Sequence, residues 1–153
     1  MGAGVSLAGR PIGEVARRVG VTTRTLRYYE ELGLVTPSVR SAGGSRRYTE
    51  SDVARVLRIR ELQSVMGFNL EEIRALLSAG DRIETLRAEY RAGASKQRTN
   101  EIVTEASRLN AQTQERVLAK IGLLQSYLAE LQSDASRYAK FARDNGVDLA
   151  TTK

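Results

Sequence analysis

Apolar residues come in short, separate clusters over the first half of the chain and in one long, regular seam over the second. Ile12 to Val19 reads as a short helix with Val15, Ala16 and Val19 on one face and Gly13 able to cap it. Gly20 stands where a left-handed residue ends a helix. Thr22 then suits an N-cap, its hydroxyl accepting from a backbone N–H further on, and opens a second helix to about Leu32, stopped by Gly33. Leu26 faces inward there, while Arg24, Arg27 and Tyr28 are left for the outside. Leu34-Val35 and Arg47-Tyr48-Thr49 are short strand candidates around Pro37 and a Gly43-Gly44 turn. Thr49 or Ser51 caps a third helix through about Met66, with Val53, Val56, Leu57, Ile59 and Leu62 as its apolar stripe and Gly67 at its end. Asn69 and Glu72 form an N-cap and box partner for a fourth helix to about Ala79, and Gly80-Asp81 is the expected boundary. Residues 1–10 are small and read as a frayed leader.

Beyond that boundary, apolar or small residues recur from Ile102 at 106, 109, 113, 117, 121, 124, 128, 131, 135 and 138, mostly in alternating steps of four and three. This is the seam of a coiled coil. Consecutive fours between Asn110 and Val117 mark a local irregularity or a break. A helix from Ser95 to Phe141 would span roughly 70 Å at about 1.5 Å per residue. A small domain cannot bury so long a stripe, so it calls for a partner helix, most simply from a second copy. Val117, Ile121, Leu124, Leu128 and Leu131 are the candidate dimerisation residues. Arg82 to Gly93 is also helical in pattern, through Ile83, Leu86 and Tyr90, without a defined place in this layout. The expected fold is mainly α. Residues 11–79 form a first domain, 80–141 a linker and dimerisation helix, and 142–153 a tail.

Charge separates the two halves further. The chain of 153 residues carries a net +6, and 20 of its 24 basic residues are arginine. Residues 1–48 hold eight arginines (10, 17, 18, 24, 27, 40, 46 and 47) against Glu14, Glu30 and Glu31, so the excess is concentrated in one third of the chain. A coding bias towards arginine would not crowd it there, so a polyanionic partner is favoured. There is no cysteine and no histidine. Thiolate and imidazole metal sites, disulfides and catalysis by those side chains are therefore closed to this chain, and no cofactor is expected. No apolar run approaches the roughly 18 residues that cross a membrane, and no secretion signal opens the chain, so the expected location is cytoplasmic.

Ile12-Gly-Glu-Val-Ala16, then Val21-Thr-Thr-Arg-Thr-Leu-Arg-Tyr-Tyr-Glu-Glu-Leu-Gly-Leu34, then Arg47-Tyr48 and Gly67-Phe-Asn-Leu-Glu-Glu-Ile73 resemble the MerR family of bacterial transcription regulators. The resemblance covers roughly residues 11–79 and implies a winged helix-turn-helix followed by a long antiparallel dimerisation helix. It places Thr22 and Thr23 at the start of the reading helix, and Thr23, Arg24, Arg27 and Tyr28 on its groove-facing side. Tyr29 packs and touches the backbone, or is a core residue only, and Arg46, Arg47 and Tyr48 fall on the wing. Arginine suits bidentate contact to guanine or phosphate, and hydroxyls suit phosphate oxygens. Ser64 departs from the basic residue that many members carry three positions before the glycine ending the third helix.

The resemblance implies a homodimer on double-stranded DNA at a palindromic promoter operator. Such regulators untwist and bend an over-long promoter so that RNA polymerase can engage both of its elements, which makes DNA deformability part of specificity. A ligand-independent repressor and an architectural winged-helix protein are the alternatives; an enzyme is not expected. Members that sense thiophilic metals or oxidants use cysteines, which leaves an organic small molecule, a partner protein or no effector. The short stretch after Phe141 suggests no separate sensor domain. A pocket would then form in the dimer, lined by Tyr127, Tyr138 and Phe141 with Tyr90, residues that serve equally well as packing.

Overall fold

A computed structural model of the chain describes residues 9–37, 39–40 and 45–148. The elements run β1 (Arg10–Pro11), α1 (Ile12–Val19), α2 (Thr23–Glu31), β2 (Val39–Arg40), β3 (Arg46–Tyr48), α3 (Glu50–Arg60) with a π-helical extension over Glu61–Val65, α4 (Leu70–Arg91) and α5 (Lys96–Asn145). Two compact units divide the chain, one up to Glu84 and one from Thr85.

In the first unit, each helix starts where a local side chain can satisfy its orphan N–H groups. The Thr22 hydroxyl accepts from the Thr25 N–H at 3.0 Å. Thr49, not Ser51, caps α3, and Asp52 answers it in a capping box. Asn69 and Glu72 cap each other's backbone at 2.7 and 2.9 Å. The first helix differs from expectation: Pro11 is its N-cap and Gly13 lies within it, proline being well suited to a helix start. At its other end Gly20 adopts φ 68°, and the Gly20 and Val21 N–H groups close on the carbonyls of Arg17 and Ala16.

The core of this unit joins Val15, Ala16 and Val19 of α1, Leu26 and Tyr29 of α2, Val53, Val56 and Ile59 of α3, and Phe68 and Ile73. Leu34 and Val35 belong to it as buried loop residues and not as a strand. Leu57, expected on the α3 stripe, is 45% exposed, because the buried face of that helix runs through Val53, Val56 and Ile59. A three-stranded antiparallel sheet has β3 at its centre, with Arg10 opposite Tyr48, and Val39 opposite Arg47. The stretch before α1, read as frayed up to residue 10, therefore contributes an edge strand. Its proline sits where no ladder N–H is needed. The expected Gly43-Gly44 turn lies outside the described residues. Glu50 takes Arg10 at 2.7 Å and Arg18 at 2.8 Å, tying β1 and α1 to the start of α3. These two arginines, Arg18 foremost, hold the Glu50 carboxyl below its usual range.

The fourth helix does not stop at Ala79. It continues through Gly80 to Arg91, which absorbs the segment that had no place in the sequence pattern. Arg55 makes a two-pronged contact with Asp81 at 2.7 and 2.8 Å and also donates to the Leu34 carbonyl. One guanidinium thus joins α3, α4 and the loop after α2.

In the second unit, Gly93 turns the chain at φ 96° and the Ser95 hydroxyl caps α5. Arg98 braces this turn, reaching Glu89 at 2.6 and 2.9 Å and Glu101 at 2.9 Å. The helix then runs unbroken for 50 residues, about 75 Å, straight through the stretch where an irregularity was expected. Leu86 and Ile102 are buried, whereas Val117, Ile121, Leu124, Leu128 and Leu131 are all exposed, Leu124 by 60%. No helix among the described residues is long and apolar enough to cross a membrane.

Candidate nucleic-acid interface

The reading helix is positioned from three sides. Behind it, Leu26 and Tyr29 are buried, and the Tyr29 hydroxyl donates to Gln63 at 2.9 Å. Burial raises the Tyr29 hydroxyl pKa, with nearby Arg60 pulling the other way. Before it, Arg60 donates to the Val19 carbonyl and so holds the turn between α1 and α2. At its end, Glu30 takes both Arg46 and the Tyr48 hydroxyl from strand β3.

What this leaves outward is a polar face. Thr23, Arg24 and Arg27 are exposed and Tyr28 is half-exposed at 49%. Among the described residues neither Arg24 nor Arg27 meets a carboxylate, although Arg10, Arg18 and Arg46 all do. Two positive charges therefore stand side by side on the helix, flanked by the hydroxyls of Thr23 and Tyr28. Such a set suits phosphate oxygens and base edges.

Other positions expected at this interface are buried or already hold partners within the protein. Tyr48 is fully buried, and burial together with its bond to Glu30 pushes its hydroxyl pKa well above the usual tyrosine value. It is a core residue that anchors the wing and has no surface for DNA. Tyr29 is 3% exposed and packs in the core, its hydroxyl held by Gln63. Thr22 spends its hydroxyl on the cap. Arg47 is half-buried and donates to the Gly9 carbonyl at 3.2 Å, and Arg46 is paired with Glu30 at 2.5 Å. The Ser64 hydroxyl turns back to the Arg60 carbonyl at 2.6 Å.

Sequence reasoning missed Gly9, Gln63, Arg60 and Glu30. Gly9 lies so close to the wing strand that a Cβ there would meet Arg47 at 2.9 Å. No local pattern marks any of these four. The residues suggested for an effector pocket, Tyr90, Tyr127, Tyr138 and Phe141, are each more than half exposed, at 57, 59, 65 and 65%.

A winged helix-turn-helix whose second helix presents arginines without a carboxylate partner among the described residues defines a DNA-binding regulator. Comparison with known proteins agrees. Residues 10–80 match the MerR HTH family regulatory protein model. The HTH-type transcriptional regulator YfmP of Bacillus subtilis (strain 168) is 30% identical over 121 residues, covering 79% of this chain and 86% of YfmP. The HTH-type transcriptional regulator ZntR of Escherichia coli (strain K12) is 38% identical over 110 residues, covering 72% of this chain and 76% of ZntR. The crystal structure of HiNmlR, a MerR family regulator lacking the sensor domain, bound to promoter DNA, shares the fold. Its TM-score is 0.55 at 23% identity, over 90% of this chain and 94% of that one. The chain belongs to the MerR family of transcription regulators.

Proposed function

We propose that the protein is a cytoplasmic homodimer that binds a palindromic promoter operator in double-stranded DNA and controls initiation by distorting the promoter, acting on RNA polymerase only through the DNA. The observation that carries this reading is the α2 face, where Arg24 and Arg27 are exposed with no carboxylate partner among the described residues. Thr23 and Tyr28 extend that face towards the backbone. Residues 11–79 are the DNA-binding part and the chain from 80 onwards supplies the linker and the dimerisation helix, which runs four residues past the boundary at 141 expected from the sequence, to Asn145.

Dimerisation is supported by the seam on α5, whose leucines are too exposed for a helix standing alone in water. Pairing them with a second, antiparallel copy places two reading helices on one operator, so palindromic DNA follows from two-fold symmetry. With thiolate and imidazole ligands missing from the sequence, the remaining signals are an organic ligand, a partner protein or none, and an organic ligand would lie beside Tyr127, Tyr138 and Phe141, with Tyr90. The test is fluorescence anisotropy on an operator duplex. Arg27→Ala should weaken binding by about 1–3 kcal/mol, which is what a base or phosphate contact of this kind contributes. Unchanged affinity in a folded dimer would remove Arg27 from the interface.

A further inference from the structure

Glu30 sits one residue from the end of the reading helix, yet its side chain is only 9% exposed. One carboxylate oxygen takes the Arg46 guanidinium at 2.5 Å and the other takes the Tyr48 hydroxyl. Arg46 and Tyr48 are alternate residues of β3 and leave the strand on the same side. Arg47, between them, turns the other way and donates to the Gly9 carbonyl. A single carboxylate on α2 thus grips two positions of the wing strand.

The charges around this carboxylate are unequal. Tyr48 brings a hydrogen bond but no charge, and a carboxylate at a helix C-terminus opposes the helix dipole. Arg46 is therefore the cation that compensates Glu30. Moving that guanidinium to a DNA phosphate would leave a nearly buried carboxylate with a phenol as its partner, a costly state.

Resting on the DNA-binding reading above, we propose that Glu30 is a positioning residue. It fixes the wing against the reading helix and keeps Arg46 on the protein, so that Arg46 is a strut and not a phosphate contact. The pair opens on a cleft of about 240 Å³ lined by Glu30, Thr36, Pro37 and Arg46, which gives the guanidinium room to swing out when glutamine replaces Glu30.

The salt dependence of binding to a mixed-sequence DNA duplex tests this, because each phosphate neutralised contributes about 0.9 to the slope of log K against log salt. Arg46→Ala should leave the wild-type slope unchanged. Glu30→Gln, which is isosteric and still accepts from Tyr48, should steepen it by about 0.9, and the double variant should return it to the wild-type value. A flatter slope for Arg46→Ala, or no change for Glu30→Gln, overturns the proposal. Should Arg46→Ala fail to fold, the double variant decides, since it buries no unpaired charge. A wild-type slope supports the proposal, and one flatter by about 0.9 defeats it. A wild type that binds no duplex would be a failure of the DNA-binding reading itself, distinct from binding with the wrong slopes.

Discussion

The guanidinium of Arg60 donates to the main-chain carbonyl of Val19, 41 positions earlier, and lies 3.0 Å from the place where residue 20 would carry a Cβ. Gly20 therefore meets two demands at once, a left-handed backbone at φ 68° and room for the arginine that secures the helix-turn-helix. Gly20→Ala should lower stability by about 1–2 kcal/mol from the backbone alone, the usual cost of a left-handed residue with a Cβ. Denaturant unfolding reads this directly. An unshifted midpoint would show that the turn relaxes without penalty.

Tyr48 makes alkaline stability a readout of the wing anchor. Burial first, and the Glu30 bond second, raise its folded pKa above that of the unfolded chain. A raised pKa stabilises fully below the unfolded value near pH 10, and the contribution is lost as pH climbs from there towards the folded value. Tyr29 shifts in the same direction. Chemical unfolding between about pH 9 and 11 should show a falling midpoint whose fall is shallower in Tyr48→Phe. The substitution should itself cost about 1–3 kcal/mol at neutral pH by taking one partner from a nearly buried carboxylate. Parallel pH profiles for the two proteins would mean that Tyr48 ionises as freely folded as unfolded.

The long helix should lose its partner when its seam is charged. Leu124 and Leu128 are 60% and 54% exposed in the single chain and lie seven and eleven positions after Val117 on the same stripe. Each leucine buried between two copies is worth about 1.5–3 kcal/mol, and aspartate at both would add buried charge. Sedimentation of Leu124→Asp with Leu128→Asp should give monomers and non-cooperative operator binding. A variant that remains dimeric would move the interface to another part of the chain.

Transcription reconstituted with this protein as sole regulator should ignore Hg²⁺, Cu⁺ and peroxide at doses harmless to the polymerase, because the chain has no cysteine or histidine. A reproducible response to any of them would reveal a sensing site built from other side chains.

Features set by neighbours in sequence were legible in advance. Thr22, Thr49 and the Asn69–Glu72 pair announce helix starts because capping is a contact across three positions. The α5 seam is equally local, a matter of period. What escaped depends on partners far along the chain. Gly80 looked like an ending, since glycine weakens helices, but α4 runs through it and Asp81 is held there by Arg55, 26 positions earlier. Tyr48 looked like a wing contact until Glu30, 18 positions earlier, turned out to claim its hydroxyl. Arg46 and Arg47 are indistinguishable as letters, and only the alternation of β3 against α2 and Gly9 separates their roles.

Footprinting of the purified protein over the promoters flanking its own gene tests the central claim most directly. The account predicts one symmetric protected region, two half-sites lying between the polymerase recognition elements, and its loss from both halves together in Arg27→Ala. Protection of a single asymmetric half-site, or an undiminished footprint with Arg27→Ala, would contradict a dimer that reads its operator through the exposed face of α2.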